Sequence, residues 1–223
     1  TRMIIINTPH NPTGSVLSDA DLRQLEQVVQ HHGLWVISDE VYEHLVFDGQ
    51  RHHGVLQYPG LRERSFAVYS FGKTFSITGW KTGYCVAPRA LTEELRKVHQ
   101  FVTFVAVTPV QWALADFLAQ EPAYPGSLAA SYQARRDRFC LALAESRFSL
   151  QPSPGSFFQL LDYSALTLEA DTTLAKRWTR EVGVASIPIS VFYATPPQQH
   201  LLRFCFAKSP ATLDKATALL SQL

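Results

Sequence analysis

Short apolar runs and helical repeats alternate through the first half of the chain. Leu22, Leu25 and Val29 recur at helical spacing after Ser18, which with Asp21 matches a capping box, and Gly33 is placed to end that helix. Apolar runs that predict strands lie at 2–6, 34–38, 66–70 and 82–87. Strands separated by a helix favour right-handed crossovers, so the pattern predicts a largely parallel, buried sheet.

The pattern changes in the second half, where three longer helical repeats precede shorter elements. Helices are predicted at about 91–102, 108–119 and 126–145, and a final helix after Ser209. The shorter elements are strands at 157–162, 184–187 and 201–207 and a helix near 174–182. We therefore predict an α/β fold with two domains, a large domain over residues 1–120 and a small α+β domain over 121–223.

Composition narrows the class of protein. The 223 residues are 46% hydrophobic and 17% charged with a formal net charge of +1, which suits a globular core and gives no general footprint for nucleic acid. No apolar run approaches the ~18 residues of a membrane span, and the scattered Cys85, Cys140 and Cys205 favour a reducing, cytoplasmic setting. The chain opens in a strand without an initiator Met, so we expect it to be the C-terminal part of something longer.

Polar side chains follow three of the predicted strands. Asn11 follows the first strand in a proline-flanked turn, and Asp39 and Tyr42 follow the second. The third ends at Ser70, with Lys73 just after it and Lys81 eight residues further along. Because ligands of open α/β sheets bind beyond the carboxyl ends of the strands, these groups are expected to converge on one edge.

The combination suggests pyridoxal phosphate (PLP). A partly desolvated lysine suits Schiff-base chemistry, and a fixed aspartate suits a protonated pyridine nitrogen. A hydroxyl and a second lysine in a glycine-containing loop suit a phosphate. Each residue alone also has an ordinary reading as a cap, a turn residue or a surface amine. The ordered set favours the functional interpretation.

Four motifs resemble the class I/II aminotransferases, which are fold type I PLP enzymes. They are NTPHNPTG at 7–14, SDEVYE at 38–43, SFGKTF with GWKTGY at 70–84, and LRF at 202–204. The loop around Lys73 and the stretch KVHQF at 97–101 look most like the branch that contains methionine aminotransferases and kynurenine–oxoglutarate transaminases. The family's N-terminal portion has no counterpart, so this chain alone is expected to be incomplete as an enzyme.

The resemblance implies a role for each matching residue. Lys73 would hold PLP as a Schiff base and shuttle the substrate proton, and Asp39 would keep the ring nitrogen protonated. Asn11 and Tyr42 would bond the phenolic oxygen of the ring. The remaining implied roles are phosphate binding by Ser70 and Lys81 and substrate carboxylate binding by Arg203, with Asn11 beside it. The implied reaction moves the amino group of an L-amino acid, methionine or another apolar or aromatic one, to a 2-oxo acid in a homodimer.

Three alternative classes of protein compete with this interpretation. The S-x-x-K at 70–73 and K-T-G at 81–83 also occur in serine β-lactamases, but their closeness here rejects that class. A C–S β-lyase of the same fold and a non-enzymatic aminotransferase-like regulatory module stay open. The β-lyase would release pyruvate without an added 2-oxo acid acceptor, and the regulatory module would show no turnover.

Several other side chains are weaker candidates. The eight histidines include no H-E-x-x-H pattern, and no metal site is expected. His10 adjoins Asn11 and is a minor candidate for the site. Phe192 and Tyr193 are candidates for an apolar substrate pocket, with core packing as the alternative.

Overall fold

A computed structural model describes residues 1–223, which form two compact units. The first unit comprises residues 1–9 and 16–129, and the second comprises 10–15 and 130–223. The assignment of residues 1–120 and 121–223 to a large and a small domain stays a prediction. None of the helices is long and apolar enough to cross a bilayer.

The first unit is built on a four-stranded sheet in the order β1-β2-β3-β4. Its strands are β1 (Met3–Asn7), β2 (Trp35–Asp39), β3 (Ser65–Ser70) and β4 (Gly83–Val86). The first three strands are parallel, as predicted, and β4 is an antiparallel strand at the edge beside β3. The parallel register aligns Asn7 with Asp39, so the carboxyl ends of β1 and β2 meet.

Helices connect and follow these strands. The helices that begin in this unit are α1 (Asp19–His32), α2 (Pro59–Arg62), α3 (Phe71–Thr74), α4 (Arg89–Val102), α5 (Thr108–Gln120) and α6 (Tyr124–Ala142), the last of which continues into the second unit. The predicted capping box of Ser18 and Asp21 is present, and Gly33 ends α1 in the left-handed conformation. The single-turn helices α2 and α3 were not predicted, because four residues carry no readable helical period.

The two faces of the first sheet differ in burial. On one face Ile4, Ile6 and Val36 belong to a core that also contains Leu22 and Val29 of α1. On the other face Ile5 is 71% exposed. The expectation of a buried sheet is therefore wrong for this face, because strand side chains alternate and α1 covers only the first. Asp39 lies on the second face, since it alternates with the buried Ser38.

The second unit contains a three-stranded antiparallel sheet in the order β5-β7-β6. Its elements are β5 (Phe158–Asp162), α7 (Asp171–Glu181), β6 (Ile187–Pro188), β7 (Leu201–Cys205) and α8 (Pro210–Leu220). The strand predicted at 184–187 is reduced to two residues, and Pro188 has no N–H with which to extend it. Ser209 caps α8 by accepting a hydrogen bond from the Thr212 amide.

Gly14 closes the turn of residues 10–15 against the rest of the second unit. Its φ is +74°, and a Cβ here would lie 2.7 Å from Ser153 Cβ and 2.8 Å from the Gly155 carbonyl oxygen. Both the backbone conformation and the lack of space therefore require glycine.

We expect Gly14→Ala to destabilise the fold by about 2 kcal/mol, through left-handed strain and displacement of the backbone near residue 155. This corresponds to a fall of about 4–8 °C in melting temperature, measurable by thermal unfolding. Gly33→Ala is the matched control. Gly33 also has positive φ, but no atom lies within 4 Å of its Cβ position, so it should lose less stability than Gly14→Ala. Equal losses would contradict the steric argument.

Candidate active site

Asp39 lies at the carboxyl end of β2, where the chain turns sharply. Its carbonyl oxygen accepts hydrogen bonds from the Asn7 side-chain amide at 2.9 Å and from the Thr8 N–H at 3.0 Å. Its carboxylate Oδ1 accepts the Val41 N–H at 3.3 Å. The backbone carbonyl and the side-chain carboxylate of Asp39 are thus both held by hydrogen bonds, from the end of the neighbouring strand and from the turn that follows.

Tyr42 and Lys73 lie close together in the same unit. Tyr42 follows Asp39 in the turn and is 3% exposed. Lys73 belongs to α3, the single helical turn directly after β3. Its Nζ lies 5.7 Å from the centre of the Tyr42 ring, and its charge acts on the Asp39 carboxylate. The sheet topology therefore brings three of the predicted site residues together.

Ser70, Lys73 and Lys81 line one small cavity of about 290 Å³. Lys81 ends the 3₁₀ turn Thr78–Trp80 in a left-handed conformation, with φ of +54°. Between them Gly72 is buried. A Cβ there would lie 3.0 Å from Thr78 Cα and 3.2 Å from Ser70 Oγ. The small residue lets the loop that carries Lys81 pack against the end of β3, beside the serine hydroxyl.

The electrostatics of Asp39 favour a cationic partner. Burial raises the pKa of the Asp39 carboxyl, and the nearby positive charge of Lys73 opposes that rise. A half-buried carboxylate whose charge is disfavoured by desolvation is stabilised by an opposite charge placed next to it. A protonated pyridine nitrogen would supply such a charge.

The second unit joins Asn11 to Arg203. Arg203 is on the central strand β7, opposite Leu160 of β5 and Ile187 of β6. One of its guanidinium nitrogens, Nη1, donates to Asn11 Oδ1. The strand and the turn of residues 10–15, which are far apart in sequence, therefore contribute to one cluster of polar groups.

Two aromatic rings flank the Arg203 guanidinium. Its central carbon lies 4.0 Å from the centre of the Phe158 ring and 5.7 Å from that of Phe192. Phe192 and Tyr193 are 45% and 46% exposed, so neither is a core residue.

His10 lies in the turn of residues 10–15, where its Nδ1 is 2.8 Å from Thr13 Oγ1.

Some supporting residues were not predicted from the sequence. Asp171, at the start of α7, accepts hydrogen bonds from the Ser190 N–H at 2.7 Å and from its hydroxyl at 2.6 Å, which anchors the turn that carries Phe192. Glu40, the residue after Asp39, accepts hydrogen bonds from Ser38, Val55 and Tyr69. No sequence spacing marks such pairs, because their partners come from separate elements. The acidic run at 39–43 was the only available signal for Glu40.

Comparison with known proteins identifies the class to which this fold and this arrangement belong. The family model for class I and II aminotransferases matches residues 1–220. The chain therefore belongs to the class I and II aminotransferases, which are PLP-dependent enzymes of fold type I.

Individual relatives share most of this chain. Methionine aminotransferase of Escherichia coli is 50% identical over 223 residues, all of this chain and 58% of that protein. A kynurenine–oxoglutarate transaminase of Dictyostelium discoideum is 38% identical over 97% of this chain and 55% of that protein. The chain thus spans less than two thirds of the length of these relatives.

Solved structures agree with the sequence relatives. An E. coli crystal structure for which a methionine aminotransferase function has been identified superposes with a TM-score of 0.97 at 50% identity, covering all of this chain and 59% of that one. N-succinyldiaminopimelate aminotransferase of Mycobacterium tuberculosis superposes with a TM-score of 0.94 at 40% identity, over 100% of this chain and 58% of that one. Both confirm the predicted fold class.

The residues of the first unit fit PLP. The cavity at Ser70, Lys73 and Lys81 offers a hydroxyl and two amines to a phosphate and an aldehyde. The Asp39 carboxylate lies near Lys73, as a pyridine nitrogen partner should. PLP, when bound, supplies an electron-withdrawing ring that makes the α-proton of an amino acid acidic.

Proposed function

We propose that the protein is an aminotransferase that moves the amino group of an L-amino acid to a 2-oxo acid with PLP. The observation that carries the proposal is the grouping of Lys73, Asp39 and Tyr42 at the carboxyl ends of adjacent strands, next to the cavity that Ser70 and Lys81 line. The family match over residues 1–220 supports the same reaction class.

Each residue has a definite role in the proposal. Lys73 Nζ would hold the cofactor and would take the proton from the substrate α-carbon. Asp39 would keep a proton on the ring nitrogen by stabilising its positive charge. Asn11 and Tyr42 would donate hydrogen bonds to the phenolic oxygen of the ring. Ser70 and Lys81 would bind the phosphate.

Arg203 is proposed to bind the substrate α-carboxylate through a two-pronged contact. We expect Arg203→Lys to weaken substrate binding about 10–100-fold, because lysine offers no planar fork and a charged hydrogen bond contributes about 1.5–3 kcal/mol. Cofactor affinity should change less than twofold. Titration of the loaded protein with a substrate amino acid and of the unloaded protein with PLP measures the two quantities separately. An equal loss of both affinities would contradict the assigned role.

The proposed donors are methionine and other apolar or aromatic amino acids. Two features support this choice: the 50% identity to the E. coli methionine aminotransferase, and the Phe158 and Phe192 rings beside Arg203. Rates with methionine, phenylalanine and aspartate, each with one 2-oxo acid, test it. Fastest turnover of aspartate would contradict the donor class, and pyruvate release from a sulfur amino acid without an acceptor would favour the β-lyase.

We further propose a homodimer located in the cytoplasm. Large apolar side chains of the first unit are exposed, among them Phe101 at 85%, Phe104 at 80% and Trp112 at 68%. Exposed apolar side chains of this kind are typical of a surface that a partner chain covers. The cysteines are all free, which supports a reducing compartment. Light scattering of the purified protein should give twice the mass of one chain, and the mass of one chain would contradict the dimer.

A further inference from the structure

A buried carboxylate belongs to the residue that follows Asp39 in the chain. Glu40, between Asp39 and Val41, is 1% exposed. Its Oε1 accepts hydrogen bonds from Ser38 Oγ at 2.8 Å and from the Val55 N–H at 2.9 Å. Each oxygen has two partners, since Oε2 lies 2.8 Å from His52 Nε2 and accepts from the Tyr69 hydroxyl at 3.2 Å.

The surroundings of Glu40 are shaped for this carboxylate. Its partners come from β2, from β3 and from the segment 52–55. A Cβ on Gly54 would lie 2.3 Å from Glu40 Oε2, so that segment can approach only because residue 54 has no side chain. Burial disfavours the charged form, yet hydrogen bonds from His52 and Val55 hold the pKa of Glu40 below its usual value. A satisfied buried network of this kind specifies one local geometry.

The backbone of Glu40 is the base of the turn that carries the catalytic groups. Its N–H donates to the Val68 carbonyl at 2.9 Å, and its own carbonyl accepts the Glu43 N–H at 3.0 Å. Asp39 is the preceding residue and takes the Val41 N–H. A rotation of the backbone at Glu40 would therefore displace both Asp39 and Tyr42.

We propose that Glu40 is a positioning residue, whose buried carboxylate, clamped by Ser38, His52, Tyr69 and the Val55 N–H, fixes the turn that presents Asp39 and Tyr42 to the cofactor. The hydrogen bonds of the turn support the clamp itself, and its effect on cofactor binding rests on the proposed function. Glu40 itself touches neither substrate nor cofactor in this role.

Glu40→Gln tests the clamp with little change of volume. At the Oε1 position the glutamine NH₂ would face the Val55 N–H, which can only donate, and at the Oε2 position it would require both the Tyr69 hydroxyl and His52 Nε2 to accept. In the protein without PLP, we expect amide hydrogen exchange of residues 41–45 to accelerate at least about tenfold, because the network no longer holds the turn. Glu43→Gln, on the same turn but outside the clamp, should leave exchange at Val41 within twofold.

The loaded protein gives a spectroscopic readout. We expect Glu40→Gln to move the pH at which the visible cofactor band changes in the same direction as Asp39→Asn does, with PLP affinity at least about tenfold weaker. Ser38→Ala removes one donor and should give a smaller change of the same sign, which keeps the test informative if Glu40→Gln does not fold. A lower melting temperature with unchanged exchange in residues 41–45 and an unchanged band would overturn the proposal.

The two proposals fail differently. If the protein at its full natural length does not load PLP on Lys73, the proposed function fails. The exchange measurement, which uses no PLP, still decides whether Glu40 holds the turn.

Discussion

Lys73→Ala is expected to reduce transamination by at least about 10⁴-fold, because it removes both the covalent anchor of the cofactor and the base that moves the substrate proton. Lys73 is suited to this role by its place on the single turn α3, beside Tyr42 and within the electrostatic reach of Asp39. Steady-state rates with methionine and a 2-oxo acid measure the loss.

One further variant tests whether the positive charge of Lys73 is sufficient, and another is a surface control. Lys73→Arg keeps the positive charge but cannot act as a neutral amine, so it should be about as inactive as Lys73→Ala. Lys97→Ala is the surface control, since its side chain is 66% exposed and pairs with Glu94 on α4. Activity of Lys73→Ala within tenfold of the unmodified protein would show that the mechanism is wrong.

Asp39→Asn is expected to lower kcat by about 10³-fold while PLP stays bound. The reason is that the substitution removes, from a half-buried position, the negative charge that stabilises a protonated ring nitrogen. The asparagine side chain still accepts the Val41 N–H through its oxygen, so the turn should persist. Rates together with a PLP titration measure the two effects. The desolvation that raises the pKa of Asp39 is the reason a cationic partner matters here.

Asp39→Glu and Asp116→Asn complete this experiment. Asp39→Glu keeps the charge on a longer side chain and should recover part of kcat. Asp116, exposed on α5, should tolerate the same isosteric change without loss of activity. A kcat for Asp39→Asn equal to that of the unmodified protein would remove Asp39 from the proposed mechanism.

Much of the fold was predictable because it rests on local signals. The apolar runs gave the three parallel strands, and the Ser18 box and Gly33 gave both ends of α1. The antiparallel direction of β4 was not predictable, since an apolar run does not encode the direction in which it pairs. The exposure of Ile5 also escaped prediction, because burial depends on which elements cover a face.

The candidate site, like the fold, was predictable only in part. Strand ends and motif spacing predicted Asp39, Tyr42, Ser70, Lys73 and Lys81, which the first unit groups around one turn and one cavity. Their catalytic roles stay predictions. The contacts of Glu40 with His52 and Tyr69, and of Asp171 with Ser190, could not be read from the sequence. Those partners meet only through tertiary packing, and the chemistry of a carboxylate does not say which donors it will meet.

The most direct test of the central claim is borohydride reduction of the PLP-loaded protein, followed by digestion and peptide mass spectrometry. Reduction makes the bond between PLP and its lysine permanent, so the labelled residue can be identified. We expect one pyridoxyl group per chain, on the peptide that contains Lys73, and none in Lys73→Ala. A label on Lys81 or Lys97 instead, or no label on a protein that turns over amino acids, would contradict it.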